Sequence, residues 1–171
     1  MEYIDIIDES GKPTGEVKSR DEVHKKGLLH NHVHVWIFNS KGEVLLQKRA
    51  ASKKIYPNMW AMAFEGHVSS DKTIIETVIT EGEEELGIKL SAKDLTPLLS
   101  YRKKIDFNPT TIENFINNVF VLNIDILIEE IVIQEDEIAD IKWMKLEDYK
   151  KEIESKNPAY RDYPEEFPKL F

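Results

Sequence analysis

The chain has 171 residues, with 23 Lys and Arg against 32 Asp and Glu for a formal charge of −9, 41% hydrophobic residues and no cysteine. These values fit one globular domain with a sizeable core, and they exclude disulfides, thiolate metal sites and cysteine nucleophiles, in keeping with a reducing compartment. The acidic balance argues against general nucleic-acid binding, where clustered Lys and Arg supply most of the affinity. The N-terminus MEYIDIIDESGKP has acids where a signal peptide needs bases, and no apolar run approaches the ~18 residues of a membrane span. A cytoplasmic protein without a membrane partner is expected.

In chain order, residues 1–27 read as a strand, a turn at Ser10-Gly11-Lys12-Pro13, a second strand, and a short helix capped by Asp21 and ending near Gly27. In HVHVWIFNSKGEVLLQKR, Val33, Val35 and Ile37 alternate with His32, His34 and Trp36, and Asn39-Ser40-Lys41-Gly42 supplies the turn of a β-hairpin. The loop AASKKIYPNMW then leads into AMAFEGHV. From about Thr73 to Leu86 the pattern is helical, with Ile75, Ile79, Gly82 and Leu86 on one face and Gly87 as the stop. Strands are expected near 95–105, 115–124 and 138–144, and a helix from about Leu146 to Lys156. The tail, about 157–171, has three prolines and four aromatics and is expected to be partly helical and packed on the domain. This order of elements predicts an α/β fold, a mixed sheet with helices on its faces.

The helix over 73–86 is costly as written. Residues 81–85 hold four glutamates and one glycine. Like charges three and four residues apart repel by roughly 0.2–0.5 kcal/mol per pair, and a mid-helix glycine costs about 1 kcal/mol against alanine. Glu81, Glu84 and Glu85 fall within one arc of roughly 100°, opposite much of the apolar stripe, while Glu83 points elsewhere. Three convergent carboxylates suit a hard divalent cation, which offsets the repulsion; a solvated acidic helix end has the same composition.

A basic cluster precedes it. Lys48, Arg49, Lys53 and Lys54 fall within seven residues, with no acid between Gln47 and Phe64. It reads either as a solvated loop or as an anion site, with Arg49 gripping phosphate oxygens in bidentate fashion and the lysines acting as point charges. His30, His32 and His34 share one strand face, a geometry open to a zinc site or to a plain sheet face, and Trp36 and Phe38 continue it as core or pocket wall.

Residues 66–88, GHVSSDKTIIETVITEGEEELGI, resemble the Nudix box, the 23-residue pattern G-x5-E-x7-R-E-U-x-E-E-x-G-U in which U is a bulky aliphatic residue. Gly66, Glu81, Glu84, Glu85, Gly87 and Ile88 fall in register, whereas Lys72, Thr80 and Gly82 replace the first glutamate, the arginine and the aliphatic residue. The flanking LLHNHVHVWIFNSKGEVLLQKRAASKKIYPNMW is similar to the Nudix branch related to type 1 isopentenyl diphosphate isomerase, and the similarity runs from about Tyr3 to Tyr149.

The resemblance implies one Nudix-type α/β/α sandwich with a central mixed sheet over residues 1–171. It implies a hydrolase that splits a diphosphate linkage in a nucleoside diphosphate or another diphosphate joined to a group X. Mg²⁺ or Mn²⁺ would be held by Glu81, Glu84 and Glu85, with the Gly66 carbonyl as a further ligand. A box glutamate or a carboxylate from a nearby loop would orient the attacking water, and Lys48, Arg49, Lys53 and Lys54 would bind the diphosphate. Thr80 and Lys72 keep open an attenuated or noncatalytic diphosphate-binding module; Lys72 and Glu76 are spaced to form a substitute ion pair. Isomerases of that branch carry a cysteine where this chain has Glu65, and an E-x-E pair where it has Glu113 and Phe115. A phenylalanine cannot act as a general acid, which argues against the isomerase. His30 and His67 match histidines that ligate metal in that branch. The partner implied is a small-molecule diphosphate, and a homodimer is open.

Overall fold

The computed structural model describes residues 2–170; Met1 and Phe171, the outer ends of the expected hairpin region and tail, lie outside them. Strands β1 (Tyr3–Ile7) and β2 (Pro13–Ser19) form the expected antiparallel hairpin. Its turn is held by Asp8, whose Oδ1 accepts from the backbone of Ser10 and Lys12, and by Gly11 at φ 81°. Helix α1 (Arg20–Lys26) is capped by Ser19, whose Oγ accepts from Glu22 N, so the expected cap Asp21 lies inside the first turn instead. There its charge complements the positive end of the helix.

Strands β3 (His30–Phe38) and β4 (Glu43–Arg49) are joined by a turn in which Asn39 Oδ1 accepts from Lys41 N and Glu43 N. The hairpin exists only at its tip, where Phe38 stands opposite Val44. Beyond that point the strands part and take other neighbours. In chain order there follow β5 (Trp60–Ala61), β6 (Phe64–His67), α2 (Ile74–Leu86), β7 (Thr96–Asn108), β8 (Thr111–Asn123), β9 (Ile138–Lys145), α3 (Leu146–Glu154) and the short α4 (Phe167–Leu170). The sheet order is β5-β4-β3-β8-β7, with β6 on β3 and β9 on β4. It is mixed because β3 runs parallel to β8 along its whole length and antiparallel to β6.

Period-two alternation gives this sheet two buried faces. Val33, Val35 and Ile37 of β3 join Phe64, Val78 and Leu86 in one core, beneath α2. Trp36 joins Val44, Leu46, Tyr149 and Tyr163 in the other, beneath α3 and the C-terminal segment. Helices on both faces make the expected α/β/α sandwich. No helix of the described residues is long and apolar enough to cross a membrane.

Helix α2 is defined by its own ends. Thr73 and Glu76 form a reciprocal capping box, and Gly87 closes the helix in the left-handed conformation. Glu76 is therefore occupied by the Thr73 backbone rather than by Lys72, which instead faces the cavity described below. Gly82 is a packing necessity: a Cβ there would lie 2.7 Å from Leu90 Cδ1 and 3.2 Å from Phe64 Cζ.

The tail is stitched to the body. Trp60 N donates to Ala159 O, Arg161 N to Trp60 O, and Tyr149 OH to Arg161 O. Fully buried Glu166 then pairs with His34 Nδ1 at 2.6 Å and accepts from Trp36 Nε1 and Tyr101 OH, each at 2.6 Å.

Candidate active site

A cavity of about 370 Å³ opens where β6 meets α2, a size typical of small-molecule sites. Register and alternation on β6 set its walls. Gly66 stands opposite Val33 and turns toward α2, while Glu65 and His67, opposite His34 and His32, turn to the other face.

From α2, Glu81, Glu84 and Glu85 all reach the cavity, and Glu83 does not. The Glu81 side chain lies over Gly66, where an added Cβ would meet its Cγ and Cδ at 2.9 Å. Glu85 is 7% exposed, and its Oε2 is buried without a hydrogen-bond partner among the described residues. Burial, then the charge of Glu84, pushes Glu81 up to about 7, with Lys72 opposing only in part. Burial, then Glu81, pushes Glu85 well above the usual carboxylate range. Crowded carboxylates with an orphaned oxygen are a donor set that fits a hard divalent cation, with Glu81, Glu84, Glu85 and the Gly66 carbonyl as the groups to hold it.

Cations line the same cavity. Arg49 and Lys53 line the cavity; Lys48 and Lys54 are not among its lining residues. Lys48 alternates with Gln47 and Arg49 on β4 and so projects from the other face. Arg49 Nη1 donates to Glu65 Oε1 at 2.7 Å and Nε to Ile55 O at 3.2 Å, and Lys53 pairs with Glu137. Sequence reasoning missed Arg161, which enters from the tail and donates to the same Glu65 oxygen at 2.6 Å. Nothing local marks it, since it is a lone arginine among aromatics and acids. Burial alone would raise the Glu65 carboxyl, but Arg161, His34 and Arg49 hold it well below its usual range.

The three alternate histidines of β3 share one face as expected but serve different environments. His34 sits between Glu65 and Glu166. His32 stacks on Phe115 with ring centroids 4.8 Å apart. His30 joins His24 of α1, His67 of β6 and Glu113 of β8, each offering a ligand atom within 4.8 Å of the others. Burial first lowers the pKa of all three imidazoles in this group, which favours the neutral form, the state in which histidine binds metals. His24 Nε2 and His67 Nε2 are 3.0 Å apart, and His30 Nε2 and Glu113 Oε2 are buried without hydrogen-bond partners among the described residues. This second donor set fits a cation that accepts imidazole and carboxylate, such as Mn²⁺ or Zn²⁺. His24 escaped sequence reasoning because it lies on a different element from the strand histidines.

A family model described as the NUDIX domain matches residues 28–165. Nudix hydrolase 3 of Arabidopsis thaliana is 34% identical over 176 residues, covering 99% of this chain and 23% of that protein, so the chain spans less than a quarter of that relative. An isopentenyl-diphosphate Delta-isomerase of Salmonella arizonae is 31% identical over 150 residues, 86% of this chain and 79% of the relative. Among solved structures, DR0079 from Deinococcus radiodurans matches with a TM-score of 0.72 at 23% identity, covering 94% of this chain and 93% of that one. The NUDIX domain of Shewanella oneidensis NrtR, complexed with ADP ribose, matches at 0.56 and 16% identity, covering 78% and 88%. These two structures establish likeness of fold.

Proposed function

The chain belongs to the Nudix family, and from that premise we propose that it is a metal-dependent hydrolase splitting a diphosphate linkage in a nucleoside diphosphate or another diphosphate joined to a group X. The observation that carries the reading is the convergence of Glu81, Glu84 and Glu85 on one cavity, with Gly66 pressed against Glu81 and Glu85 Oε2 orphaned. Mg²⁺ or Mn²⁺ held by these residues would supply Lewis-acid polarisation of a phosphate and a lowered pKa for the attacking water.

The chain's own residues do the rest. Arg49 and Lys53 line the same cavity as the carboxylates and draw anionic phosphates into it. A box glutamate orients the water, or Glu137 does, the acid that the loop before β9 brings to the same cavity. The apolar sector around Ile55, Ile105 and Phe107 receives part of X.

A relative named as an isopentenyl-diphosphate isomerase raises that activity as a second reading. Against it, this chain has no acid at position 115, where Phe115 is 6% exposed and stacked on His32. The attenuated reading rests on Lys72, a cation at the cavity wall beside Glu81.

The test is phosphate release from a panel of nucleoside di- and triphosphates, nucleotide sugars, dinucleoside polyphosphates and isopentenyl diphosphate with Mg²⁺ or Mn²⁺. Wild type is compared with Glu84→Gln and Glu85→Gln. Metal-dependent turnover of one substrate, lost in both variants, supports the hydrolase and identifies X. Binding without turnover of any substrate would replace it by the noncatalytic module.

A further inference from the structure

Two guanidinium groups share a single carboxylate oxygen in the cavity wall. Arg49 Nη1 and Arg161 Nη1 both donate to Glu65 Oε1, at 2.7 and 2.6 Å, and each arginine side chain is 12% exposed. One carboxylate balances one of these cations. Glu166, on the other side of His34 from Glu65, is already taken by His34, Trp36 and Tyr101. An unbalanced charge so withdrawn from water is costly unless an anion joins it.

The donor geometry points the same way. Among the described residues, Arg49 Nη2 and Arg161 Nη2 and Nε have no hydrogen-bond partner, and both residues line the cavity. The Arg161 guanidinium carbon lies 4.4 Å from the centroid of Tyr56 and 4.9 Å from that of Tyr163. The two rings confine the guanidinium between them and leave N–H groups open to the cavity, and such a planar fork suits tetrahedral oxyanions. Lys53 differs, because its ammonium is already paired with Glu137.

We propose that Arg161 and Arg49 form a guanidinium clamp for the phosphate chain of the substrate. Glu65 is the positioning residue that aligns both, and the C-terminal segment is therefore part of the binding site. The proposal rests on the hydrolase reading only in taking the ligand to be a diphosphate.

The test uses the full chain and methylenediphosphonate, a diphosphate analogue that is not hydrolysed, with binding followed by calorimetry in the presence and absence of Mg²⁺. Arg161→Met keeps the packed stem and removes the fork; it is expected to weaken binding at least about tenfold in both conditions, as loss of a charge-assisted contact should. Arg161→Lys, a point charge without the fork, should fall between Arg161→Met and wild type. Glu65→Gln should raise KM for the substrate found by the panel more than it lowers kcat, a split that a merely structural role would not produce.

Wild-type affinity in Arg161→Met, or no binding by the wild type, would overturn the clamp. If Arg161→Met melts early, the double variant Glu65→Gln with Arg161→Met removes both charges of that pair, and it too must bind weakly for the clamp to stand. The two readings fail separately. Without a hydrolase there is no metal-dependent turnover, yet analogue binding still depends on Arg161; without the clamp, turnover persists in Arg161→Met at an unchanged KM.

Discussion

The Glu81 side chain rests on the bare backbone of Gly66, so close that a Cβ on Gly66 would come within 2.9 Å of both Cγ and Cδ of Glu81. Gly66 is not one of the glycines with positive φ, so its backbone accommodates alanine and only the Glu81 carboxylate must move. Disturbing the support of a metal ligand typically costs about 10–100-fold in affinity. Gly66→Ala is therefore expected to raise the Mg²⁺ concentration for half-maximal turnover by about tenfold or more, with a near-native melting temperature. An unchanged metal titration would remove Glu81 from the ligand set.

At the position where the box has an aliphatic residue, Gly82 is answered by Leu90, whose Cδ1 would be 2.7 Å from a Cβ on it. The aliphatic group that the box would place on the helix is here supplied from the following segment. Restoring it as Gly82→Leu should overpack the core and destabilise the protein by about 1–3 kcal/mol, despite the better helix former. Adding Leu90→Ala should recover part of that loss. Denaturant unfolding of the single and double variants measures the coupling, and additive effects would contradict the exchange.

Glu81 and Glu85 titrate above their ordinary 4.5, Glu81 near 7 and Glu85 well above the usual range, burial being the first cause for each. Between 4.5 and these raised values the metal-free folded state holds protons that the unfolded state has released. Stability without metal therefore falls as pH rises through this window. A cation must displace those protons, so its affinity climbs with pH. Calorimetric titrations with Mg²⁺ near pH 6 in two buffers of different ionisation enthalpy should report proton release, smaller in Glu85→Gln. Buffer-independent heats would show that the carboxylates are already ionised.

The buried pair of His34 and Glu166 has its own pH window. Burial disfavours the His34 imidazolium, but Glu166 and Glu65 outweigh it and raise its pKa above the ordinary 6.5; that contribution is complete below 6.5 and is lost as pH rises through the raised value. Burial likewise disfavours the Glu166 carboxylate, but His34, Tyr101 and Trp36 lower its pKa below the ordinary 4.5; its contribution is present above 4.5 and is lost as pH falls through the depressed value. The pair thus stabilises most between 4.5 and 6.5. Glu166→Ala removes the shared acceptor of His34, Trp36, Tyr101 and Asn117 and should cost roughly 3–5 kcal/mol, while His34→Gln should flatten the dependence of melting temperature on pH above 6.5. A melting profile of unchanged shape in His34→Gln would refute the assignment.

What the sequence by itself determined lies within single elements. Thr73, Glu76 and Gly87 delimit α2 through contacts three to five residues long, and the spacing of Glu81, Glu84 and Glu85 places them on one side of it whatever surrounds the helix. Alternation along β3 likewise set its histidines on one face. Only the tertiary structure decided what those side chains meet. Glu65 takes Arg161 from 96 residues away and His34 takes Glu166 from 132. The group of His24, His30, His67 and Glu113 draws on four separate elements. Hydrogen bonds along one element repeat at fixed spacing and so are written in local order, whereas these meetings follow from strand register and from where the tail packs. Both of those are set by burial of the whole chain.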